Sequence, residues 1–494
     1  MKIIIAGGGS SAWLSAAYLL NNMRDANITV IDKEVGNPVG VGEATILNFN
    51  TFMEECGFHK AEWFYELDAT IKTGIMFPGW GKPDNEIWHP FQTTVNYPDL
   101  SSIDVWARAT DKSFKEYGTT NYRSSTKGLI DLVAPDQRYG YHVDCGKMVS
   151  FIQKKISPHI TVINSTIVDI VKDEIDDVAK LVLNNGEEHS ADLYIDCTGF
   201  SSLLKKQKFV DITGRLFCNT AVACRVNYQD KETEMRPYVI SEAVAHGWIW
   251  QIPTRSRMGT GLVFNRDITS IDNAKQYLAD YWKGRAKVED MRVIDWTPQY
   301  TSNMWQGNVV SIGLSAGFIE PLESTGLFLI QTAIKKLTEK IRLGHYDVTS
   351  MELFNMEMTR YFEDGIDFVG MHYGRTDRTE PFWQYVKNTF KESPLQLHYQ
   401  AMMMDDSIRF AEKVDGSTSN CTIFNSVNWF IWLAQLGYPL NKPLPHTSQQ
   451  RIDFLIEVFE RNEHVRVLRS VKHQNAIDII LLEGMNNGLV PRQI

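Results

Sequence analysis

The fold of this chain is decided by its amino-terminal stretch, Ile3-Ile4-Ile5-Ala6-Gly7-Gly8-Gly9-Ser10-Ser11-Ala12. The β-branched run predicts a buried parallel strand, and a helical pattern over residues 13–23 follows the glycines. Gly7 permits a tight turn, Gly9 lets the backbone approach a pyrophosphate, and Ala12 gives the small position where helix meets strand. The helix N-terminus, at Ser10 and Ser11, would then face the phosphates. This strand, turn and helix predict a dinucleotide site.

Later strands extend this unit. The strand predicted over 28–31 ends at Asp32, where a carboxylate can accept both ribose hydroxyls of an ADP moiety. The segments 191–200 and 308–317 again run from a strand into a turn of small residues. The chain thus returns to the predicted dinucleotide site in three separate segments, which favours FAD over NAD. The alternative is an ordinary doubly wound sheet with glycine-marked turns. The predicted fold class is α/β: a glutathione-reductase-type FAD-binding fold, that is, a Rossmann-like βαβ unit with an interleaved substrate sheet, plus a mostly helical carboxyl-terminal region.

Length and composition narrow the class of protein. A chain of 494 residues is too long for one ordinary core, so two or three interlocked lobes are expected. Lys and Arg number 50 against 60 Asp and Glu, which gives a net charge of −10 without a basic cluster, so neither nucleic acid nor an anionic membrane is expected as a partner. The six cysteines show no CxxC and no metal-ligand spacing, so no metal site is expected and a reducing cytoplasm suits them. No apolar run reaches membrane-spanning length.

Two regions are predicted along the chain. Residues 1–349 form an FAD-binding module, with interleaved substrate and halide segments at about 70–140 and 205–300. Residues 350–494 form a helical region that covers the substrate. Helical patterns there run over 368–383, 426–436 and 451–467, the last with Phe454, Leu455, Val458 and Phe459 on one face.

Two indoles stand close together in Trp248-Ile249-Trp250-Gln251-Ile252-Pro253. Side chains at i and i+2 of an extended segment point to the same face, so Trp248 and Trp250 would make one large, flat apolar surface. The run over 259–264 is predicted to be the hairpin partner of this strand. The surface is either buried core or the wall of a chamber.

Two other stretches carry candidate chemistry. Lys72 lies between apolar neighbours in a predicted strand, so it either reaches solvent or is held inside with a shifted pKa. The loop Glu320-Pro321-Leu322-Glu323-Ser324-Thr325-Gly326-Leu327 opens a helix that stops at Gly344, and amides at its N-terminus could hold a small anion. Glu323 is either a structural charge at that terminus or a catalytic carboxylate.

Together these residues resemble the flavin-dependent halogenases, in particular the tryptophan-halogenase-like group. The resemblance covers nearly the whole chain, and the WxWxIP segment, the lysine and the PLESTG segment in this order are specific to the group. The matching segments are Gly7 to Ala12, Gly40-Val41-Gly42-Glu43-Ala44-Thr45, Lys72-Thr73-Gly74, His89-Pro90-Phe91, Asp196 to Phe200, Trp248 to Pro253, Glu320 to Gly326, and His372-Tyr373 with Arg378, Pro381, Phe382 and Trp383.

The resemblance implies halogenation of an aromatic substrate. Reduced FAD, delivered as FADH2 by a separate flavin reductase, would react with O2 and a halide ion to give hypohalous acid, which migrates to the substrate. Thr325 and Gly326 would offer amides to the halide, and Lys72 would hydrogen-bond the hypohalous acid or become a haloamine. Glu323, oriented together with Ser324, would stabilise the cationic ring intermediate and help to remove its proton.

The same resemblance implies the binding residues. His89 and Phe91 would sandwich the substrate, and Trp248 and Trp250 would separate it from the flavin, so that the indoles touch the flavin side with Lys72 beyond them. The implied flavin contacts are Gly7, Gly9, Ser10, Ser11, Ala12, Asp32, Glu43, Ala44, Leu314 and Leu327.

One stretch departs from the members of the group that act on free tryptophan. Those members place paired tyrosines and a glutamate in the carboxyl-terminal helices, whereas the matching stretch here is Asn428-Trp429-Phe430-Ile431-Trp432. Trp429 and Phe430 would line an apolar substrate site, which cannot readily pair an ammonium and a carboxylate. An indole, a phenol or another electron-rich arene is therefore expected in place of free tryptophan.

Two alternatives to a halogenase stay open on the sequence. One is a flavin-dependent aromatic monooxygenase that hydroxylates its substrate, and the other is a flavin-binding protein without activity. The preferred halide, the regiochemistry and the choice between monomer and homo-oligomer also stay open.

Overall fold

The computed structural model describes residues 1–33, 43–91, 102–110, 113–117, 121–133, 139–205, 208–405, 421–441, 444 and 447–491. In chain order its strands are β1 (Lys2–Ala6), β2 (Asn27–Asp32), β3 (Glu43–Ala44), β4 (Thr70–Lys72), β5 (Gly74–Pro78), β6 (Glu86–Pro90), β7 (Leu129–Ile130), β8 (Gly140–Val143), β9 (Thr161–Asn164), β10 (Ile167–Lys172), β11 (Val178–Leu183), β12 (Glu188–His189), β13 (Leu193–Asp196), β14 (Phe209–Asp211), β15 (Thr220–Val226), β16 (Val239–Val244), β17 (Gly247–Pro253), β18 (Met258–Phe264), β19 (Arg292–Asp295), β20 (Gln299–Thr301), β21 (Trp305–Gln306), β22 (Val309–Ser311) and β23 (Val471–Lys472). Its helices are α1 (Ser10–Asn22), α2 (Phe49–Glu55), α3 (Lys60–Glu66), α4 (Ser102–Asp104), α5 (Phe114–Tyr117), α6 (Tyr122–Ser125), α7 (Cys145–Ile156), α8 (Lys231–Glu234), α9 (Ile271–Tyr281), α10 (Gly326–Arg342), α11 (Val348–His372), α12 (Pro381–Thr389), α13 (Pro394–Met404), α14 (Ser426–Gln435), α15 (Gln449–Arg469) and α16 (His473–Asn486).

A largely parallel sheet carries the nucleotide motif. Its strands lie in the order β21-β22-β13-β1-β2-β9, and every neighbouring pair except β21 and β22 is parallel. Ala6 at the end of β1 pairs with Asp196 of β13, which in turn pairs with Ser311 of β22. Because the carboxyl ends of parallel strands meet at one edge, the three turns predicted from the sequence converge there. The α/β prediction is confirmed, and the three turns that it assigns to a nucleotide site lie at one edge of the sheet.

A second sheet, mostly antiparallel, has the strand order β19-β15-β18-β17-β16-β5-β6. The predicted hairpin is present, since β17 pairs with β18 and Trp250 lies opposite Gly261. Trp248 and Trp250 pack into the main core, whereas Ile249 between them packs into a separate cluster on the other face. Both indoles therefore share one face as predicted. The expectation of a flat surface is wrong, because the two rings are tilted by 58° with centroids 6.2 Å apart.

Three short strands, β3, β8 and β4, form a small antiparallel sheet around Lys72. Lys72 ends β4 and lies opposite Gly140 of β8. A Cβ atom at Gly140 would lie 2.5 Å from the carbonyl oxygen of Thr45 and 3.1 Å from the ring of Phe91. The glycine therefore lets Thr45 and Phe91 come close to the lysine in the interior of the protein.

The carboxyl-terminal region is mostly helical as predicted, but two of its elements differ from the prediction. The pattern over 368–383 is not one helix, because α11 ends at His372 and α12 begins at Pro381. A proline is favourable at the first position of a helix and unfavourable inside one, which explains the new start. On α15 the buried face is Ile452, Leu455 and Phe459, whereas Phe454 is 51% exposed. These buried positions follow the i, i+3, i+7 helical spacing that the predicted face did not keep.

One large hydrophobic cluster joins the parallel sheet, the second sheet and the carboxyl-terminal helices. All six cysteines are buried and free. Within the described ranges, no helix is both long and apolar enough to cross a membrane.

Candidate active site

A cavity of about 680 Å³ opens at the carboxyl edge of the parallel sheet. The turns after β1, β13 and β22 line it, together with one face of β17 and the start of α10. Of the residues implied to contact FAD, those that line the cavity are Gly9, Ser10, Ser11, Glu43, Ala44, Leu314 and Leu327.

The other implied FAD residues shape the turn behind the cavity wall. Gly7 has φ +116°, and a Cβ atom there would lie 2.3 Å from the carbonyl oxygen of Cys197, so only glycine lets β1 and the turn after β13 approach so closely. A Cβ atom at Gly8 would lie 1.9 Å from Oδ2 of Asp32, which shows that the Asp32 carboxylate lies against the glycine turn. Ala12 is fully buried in the first turn of α1. Gly40, Val41 and Gly42 lie outside the described residues.

These features fit FAD. Nothing described lies within 4 Å of a Cβ atom built at Gly9, so the backbone at the N-terminus of α1 is open to a phosphate. Burial raises the pKa of Glu43, against a hydrogen bond with Cys145 that lowers it. The Glu43 carboxyl group can accept a hydrogen bond from a hydroxyl-bearing ligand at this wall.

Trp248 and Trp250 lie in the wall of the same cavity. The indole of Trp248 is held from behind by Glu320, whose Oε2 accepts from Trp248 Nε1 at 3.4 Å and from the Tyr373 hydroxyl at 2.6 Å. A Cβ atom at Gly261 would lie 2.1 Å from the Trp250 ring, so the neighbouring strand leaves space for that indole. Both indoles therefore lie in the wall of the cavity where the flavin is expected, and their contact with the flavin stays a prediction.

Lys72 is one hydrogen bond away from the cavity. Its Nζ donates to Ser324 Oγ at 2.8 Å, and Ser324 lines the cavity. Nζ also donates to the carbonyl oxygen of Thr45 at 3.2 Å and lies 4.7 Å from the centroid of the Phe91 ring. Lys72 is fully buried, so the solvent-facing alternative is wrong. Burial lowers the pKa of Lys72 to about 7, and attraction to Glu323 offsets only part of this effect.

Glu323 points into a cluster of hydrogen-bond donors. His89 Nδ1 lies 2.9 Å from both carboxylate oxygens, His372 Nε2 lies 2.7 Å from Oε1, and Trp432 Nε1 donates to Oε1 at 3.1 Å. Burial raises the pKa of Glu323, but the electrostatic attraction and the hydrogen bonds of the His89 and His372 rings outweigh it and lower the pKa to about 2. Glu323 is therefore a buried carboxylate that three rings hold in its ionised form.

A single turn sends the side chains of Glu323 and Ser324 in different directions. Pro321–Glu323 is one turn of 3-10 helix, and Ser324 after it has φ 64° in the left-handed region. Thr325 then caps α10, and its buried Oγ1 has no hydrogen-bond partner among the described residues. Gly326 lines the cavity. Because the first amides of a helix have no acceptor within it, this end of the cavity can receive a small anion.

Phe91 contacts Lys72, and His89 contacts Glu323. Phe91 covers Nζ of Lys72, whereas His89 contacts Glu323 and is 5% exposed. The His89 ring centroid lies 5.7 Å from that of Phe368, which stacks on Phe424 at 3.8 Å. The structure therefore brings together Lys72, Phe91, Glu323 and His89, four of the residues that the resemblance associates with the aromatic substrate and its halogen.

The face of α14 that meets this cluster carries Asn428 and Trp432. Asn428 Nδ2 lies 2.9 Å from His89 Nε2, and Trp432 donates to Glu323. Trp429 and Phe430 are fully buried and pack on Tyr399 of α13, with centroid distances of 5.0 and 6.0 Å. The i, i+4 spacing of Asn428 and Trp432 is the signal that could have identified this face.

His372 is a site residue that the sequence pattern did not single out. Its segment belongs to the family resemblance, but the pattern over 368–383 suggested an interior helix position. In the structure it is the last residue of α11 and contacts Glu323. Among the described residues, no group of three or more His, Cys, Asp and Glu side chains could hold a metal ion.

The fold and this site define a flavin-dependent enzyme in which a buried lysine and glutamate adjoin the flavin cavity. The family model for tryptophan halogenase matches residues 2–450. The chain therefore belongs to the tryptophan halogenase family and is a flavin-dependent halogenase.

Its relatives cover most of its length. The tryptophan 6-halogenase ThaL of Streptomyces albogriseolus is 28% identical over 77% of this chain and 78% of its own. The tryptophan 7-halogenase RebH of Lentzea aerocolonigenes is 26% identical over 93% of this chain and 94% of its own. A flavin-dependent halogenase from Xanthomonas campestris has a similar structure, with a TM-score of 0.89 and 26% identity over 97% of this chain and 98% of that one.

Proposed function

We propose that this enzyme uses FADH2, O2 and a halide to halogenate an electron-rich arene such as an indole or a phenol. The observation that carries the proposal is the contact of Lys72 with Ser324, which joins a buried lysine to the wall of the flavin cavity. A lysine is rarely buried in this way without a chemical role, because desolvation disfavours its charge.

The residues of the parallel sheet would hold the cofactor. The open glycine turn and the N-terminus of α1 receive the phosphates, Asp32 accepts from the ribose, and Glu43 with Ala44, Leu314 and Leu327 contacts the remainder. Bound FADH2 together with O2 supplies the oxidising equivalent that turns the halide into hypohalous acid. Thr325 and Gly326 would hold the halide by their amides at the start of α10.

Lys72 would place the halogen at one point in space. Its pKa of about 7 makes both protonation forms available near neutral pH. The ammonium can donate a hydrogen bond to the oxygen of hypohalous acid, and the amine can attack the halogen to give a haloamine and water. In either form the halogen is kept beside Phe91 and is not released to solvent.

Glu323 would serve as the base of the substitution. The arene attacks the halogen through one ring carbon while the bond of the halogen to the oxygen of hypohalous acid or to the lysine nitrogen breaks, and the electron pair of that bond stays on the oxygen or nitrogen. The ring becomes cationic, and the carboxylate stabilises that cation. The carbon–hydrogen bond then breaks, its electron pair restores the aromatic ring, and the proton passes to Glu323. The short hydrogen bonds from His89, His372 and Trp432 fix the carboxylate for this transfer.

Trp248 and Trp250 would separate the flavin from the substrate. Both indoles line the flavin cavity, and the second sheet behind them belongs to the main core. A wall of this kind keeps the arene from direct oxygen transfer and leaves a route only for a small oxidant that passes Ser324.

The substrate class follows from the rings around Glu323. The described neighbours of His89 include Phe368, Phe424 and Trp432, which suit a flat apolar substrate, and Asn428 adds one polar group. His89 and Phe91 would enclose the arene, with Trp429 and Phe430 behind as part of the apolar wall. The named relatives act on tryptophan; we propose an arene without the amino acid head group for this chain, because apolar walls do not pair its charges.

The organisation and surroundings of the enzyme complete the proposal. Residues 1–349 would form the FAD-binding module and residues 350–494 the substrate cover. A separate flavin reductase would supply FADH2, and the free buried cysteines suit a reducing cytoplasm.

A product screen tests this proposal. Purified enzyme is supplied with FADH2, O2 and each halide in turn, against a panel of indoles, phenols and free tryptophan, and the products are identified by mass spectrometry. We expect halogenated indole or phenol and little halogenated tryptophan. Hydroxylated products without halogen would show that the enzyme is a monooxygenase, and halogenated free tryptophan as the best product would contradict the proposed substrate class.

A further inference from the structure

The hydrogen bonds of His372 require a proton on each side of its ring. Nδ1 lies 2.7 Å from the carbonyl oxygen of Phe368, one helical turn earlier, and a carbonyl oxygen only accepts. Nδ1 therefore carries a hydrogen. Nε2 lies 2.7 Å from Glu323 Oε1, a distance that needs a second proton between nitrogen and oxygen. The pair of His372 and Glu323 thus holds one proton more than a neutral imidazole beside a carboxylate.

The hydrogen bonds of His89, in contrast, require that only one of its two ring nitrogens carries a hydrogen. Asn428 belongs to a capping box in which its Oδ1 accepts from the backbone amide of Asn425, so its Nδ2 is the atom that faces His89 Nε2 at 2.9 Å. Nδ2 is a donor, so His89 Nε2 accepts and carries no hydrogen. The remaining nitrogen, Nδ1, donates to Glu323, and the His89 ring is neutral.

We infer that His372, and not His89, is the cation that keeps Glu323 ionised, so that His372 is a positioning residue for the proposed base. The inference rests on the proposed function only for its catalytic consequence. Burial lowers the pKa of His372, and Glu323 offsets only part of this effect. A neutral ring with this tautomer, however, would set the lone pair of Nε2 against the ionised Glu323 carboxylate at 2.7 Å, which is repulsive. The carboxylate oxygen beside it makes the imidazolium the favourable form.

The same geometry selects the oxygen that receives the substrate proton. Oε1 already accepts from His372 and Trp432, whereas the described contact of Oε2 is with His89 alone. When the arene loses its proton, the new bond forms at Oε2, and the positive charge of the ring passes to the acid and imidazolium pair. The titratable groups that face this pair are His89 on β6 and Lys72 on β4, and the His372 ring is otherwise packed against Phe77, Trp80, Phe368 and Trp432.

Nitrogen-15 NMR of histidine-labelled enzyme tests the assignment directly. We expect one imidazole to stay protonated on both nitrogens well above the ordinary histidine pKa of about 6.5. His372→Gln, which keeps a donor at the position of Nε2, should remove that signal. His89→Asn, the matched variant that keeps a donor at the position of Nδ1, should retain it. Loss of the signal in His89→Asn, or its absence from the unmodified enzyme, would overturn the assignment.

The pH dependence of halogenation gives a second readout that a purely structural role would not move. Without its imidazolium, a buried carboxylate takes up a proton more readily. His372→Gln should therefore raise by about one unit or more the apparent pKa of the limb that Glu323 sets, which lies on the acidic side of the Lys72 titration near pH 7. His89→Asn should leave that limb within about half a unit, and unchanged limbs in both variants would overturn the assignment. An enzyme that halogenates nothing but shows the NMR signal would refute the proposed function and leave the role of His372 standing.

Discussion

Ser324 lies between the two parts of the site, the part around Lys72 and the part around Glu323. Its left-handed conformation, with φ 64°, is uncommon for a residue other than glycine and is found where the surrounding structure imposes it. Because of this turn, Ser324 accepts from Lys72 while the preceding Glu323 contacts the two histidines. The lysine and the glutamate are thus held by consecutive residues of one loop, which links halogen delivery to proton removal.

The role of Glu323 as a base predicts a loss in the chemical step. Glu323→Gln keeps the size of the side chain but removes the charge that stabilises a cationic ring, so we expect the rate constant of halogenation to fall roughly 10²-fold. Single-turnover kinetics with preformed FADH2 measure this step. An unchanged rate constant would exclude Glu323 from the reaction, and unchanged FAD binding controls for folding.

The lowered pKa of Lys72 predicts the pH dependence of halogen transfer. With a pKa of about 7, the side chain is an ammonium below that pH and an amine above it. If the amine forms the nitrogen–halogen bond, the rate should rise as the pH passes about 7 and then level off. The measurement is arene halogenation from added hypohalous acid across this range. A rate that falls through the same pH would contradict the haloamine route and support hydrogen bonding by the ammonium.

At the residue scale the sequence predicted the types of side chain better than their partners. Lys72, Glu323 and Ser324 could be named from local motifs, because each stands in a distinctive stretch. The partners come from elsewhere in the chain: Thr45 is 27 positions away from Lys72, and His372 and Trp432 are 49 and 109 positions away from Glu323. No local pattern specifies such contacts, since they depend on how β4, α11 and α14 pack.

Among the elements, β17 decides how the flavin cavity is closed. Alternation along the strand gives Trp248 and Trp250 to the cavity and Ile249 to the cluster packed against α9. Gly261 on the neighbouring strand is the matching feature, because any side chain there would meet the Trp250 ring. The position of the Trp250 ring is therefore set by its own strand and by the glycine on the neighbouring strand.

The wall predicts that smaller side chains change the products. In Trp248→Ala or Trp250→Ala the arene could reach the flavin, so we expect hydroxylated product and less halogenated product per FADH2 consumed. Trp282→Phe is a matched control, since Trp282 packs on the opposite face of the same sheet. Product ratios by mass spectrometry are the measurement. Ratios that stay the same in both alanine variants would contradict the role of the indoles as a partition.

Elements with strong periodicity were predicted well, and those with breaks were not. The strands of the parallel sheet and the hairpin of β17 and β18 were confirmed because alternation and β-branched runs mark them clearly. The end of α11 at His372 was missed, because apolar residues continue on both sides of the break and only tertiary packing places it. The flat indole surface was also wrong, since ring tilt is a matter of side-chain rotamers that a sequence does not specify.

In the whole molecule, the nucleotide site and the halogenation site share one continuous core. The parallel sheet supplies the cavity, the second sheet its wall, and the carboxyl-terminal helices the donors around Glu323. Chain segments from the first hundred residues contact residues beyond 320, as Lys72 does with Ser324 and His89 with Asn428. Binding of FAD and reaction at Lys72 are therefore expected to depend on the same folded unit.

Two glycine variants separate cofactor binding from folding. In Gly8→Ala the new methyl group meets Asp32 inside the protein, so we expect the apoprotein to lose roughly 1–3 kcal/mol of stability as well as FAD affinity. In Gly9→Ala the methyl group points into open space, so we expect unchanged apoprotein stability but FAD affinity weakened about tenfold or more, equivalent to about 1.4 kcal/mol. Thermal unfolding of the apoprotein and FAD titration measure the two effects. Tight FAD binding by Gly9→Ala would contradict the nucleotide site.

The central claim is that the oxidant is made in the flavin cavity and reaches the arene only through Lys72. It is tested most directly by following flavin reoxidation, released hypohalous acid and halogenated arene together in Lys72→Ala, with Lys180→Ala, a partly exposed lysine of β11, as the control. We predict that Lys72→Ala reoxidises its flavin at a near-normal rate and releases hypohalous acid to a chemical trap, but forms no halogenated arene. Halogenation of the best substrate by Lys72→Ala at the rate of the unmodified enzyme would contradict the account.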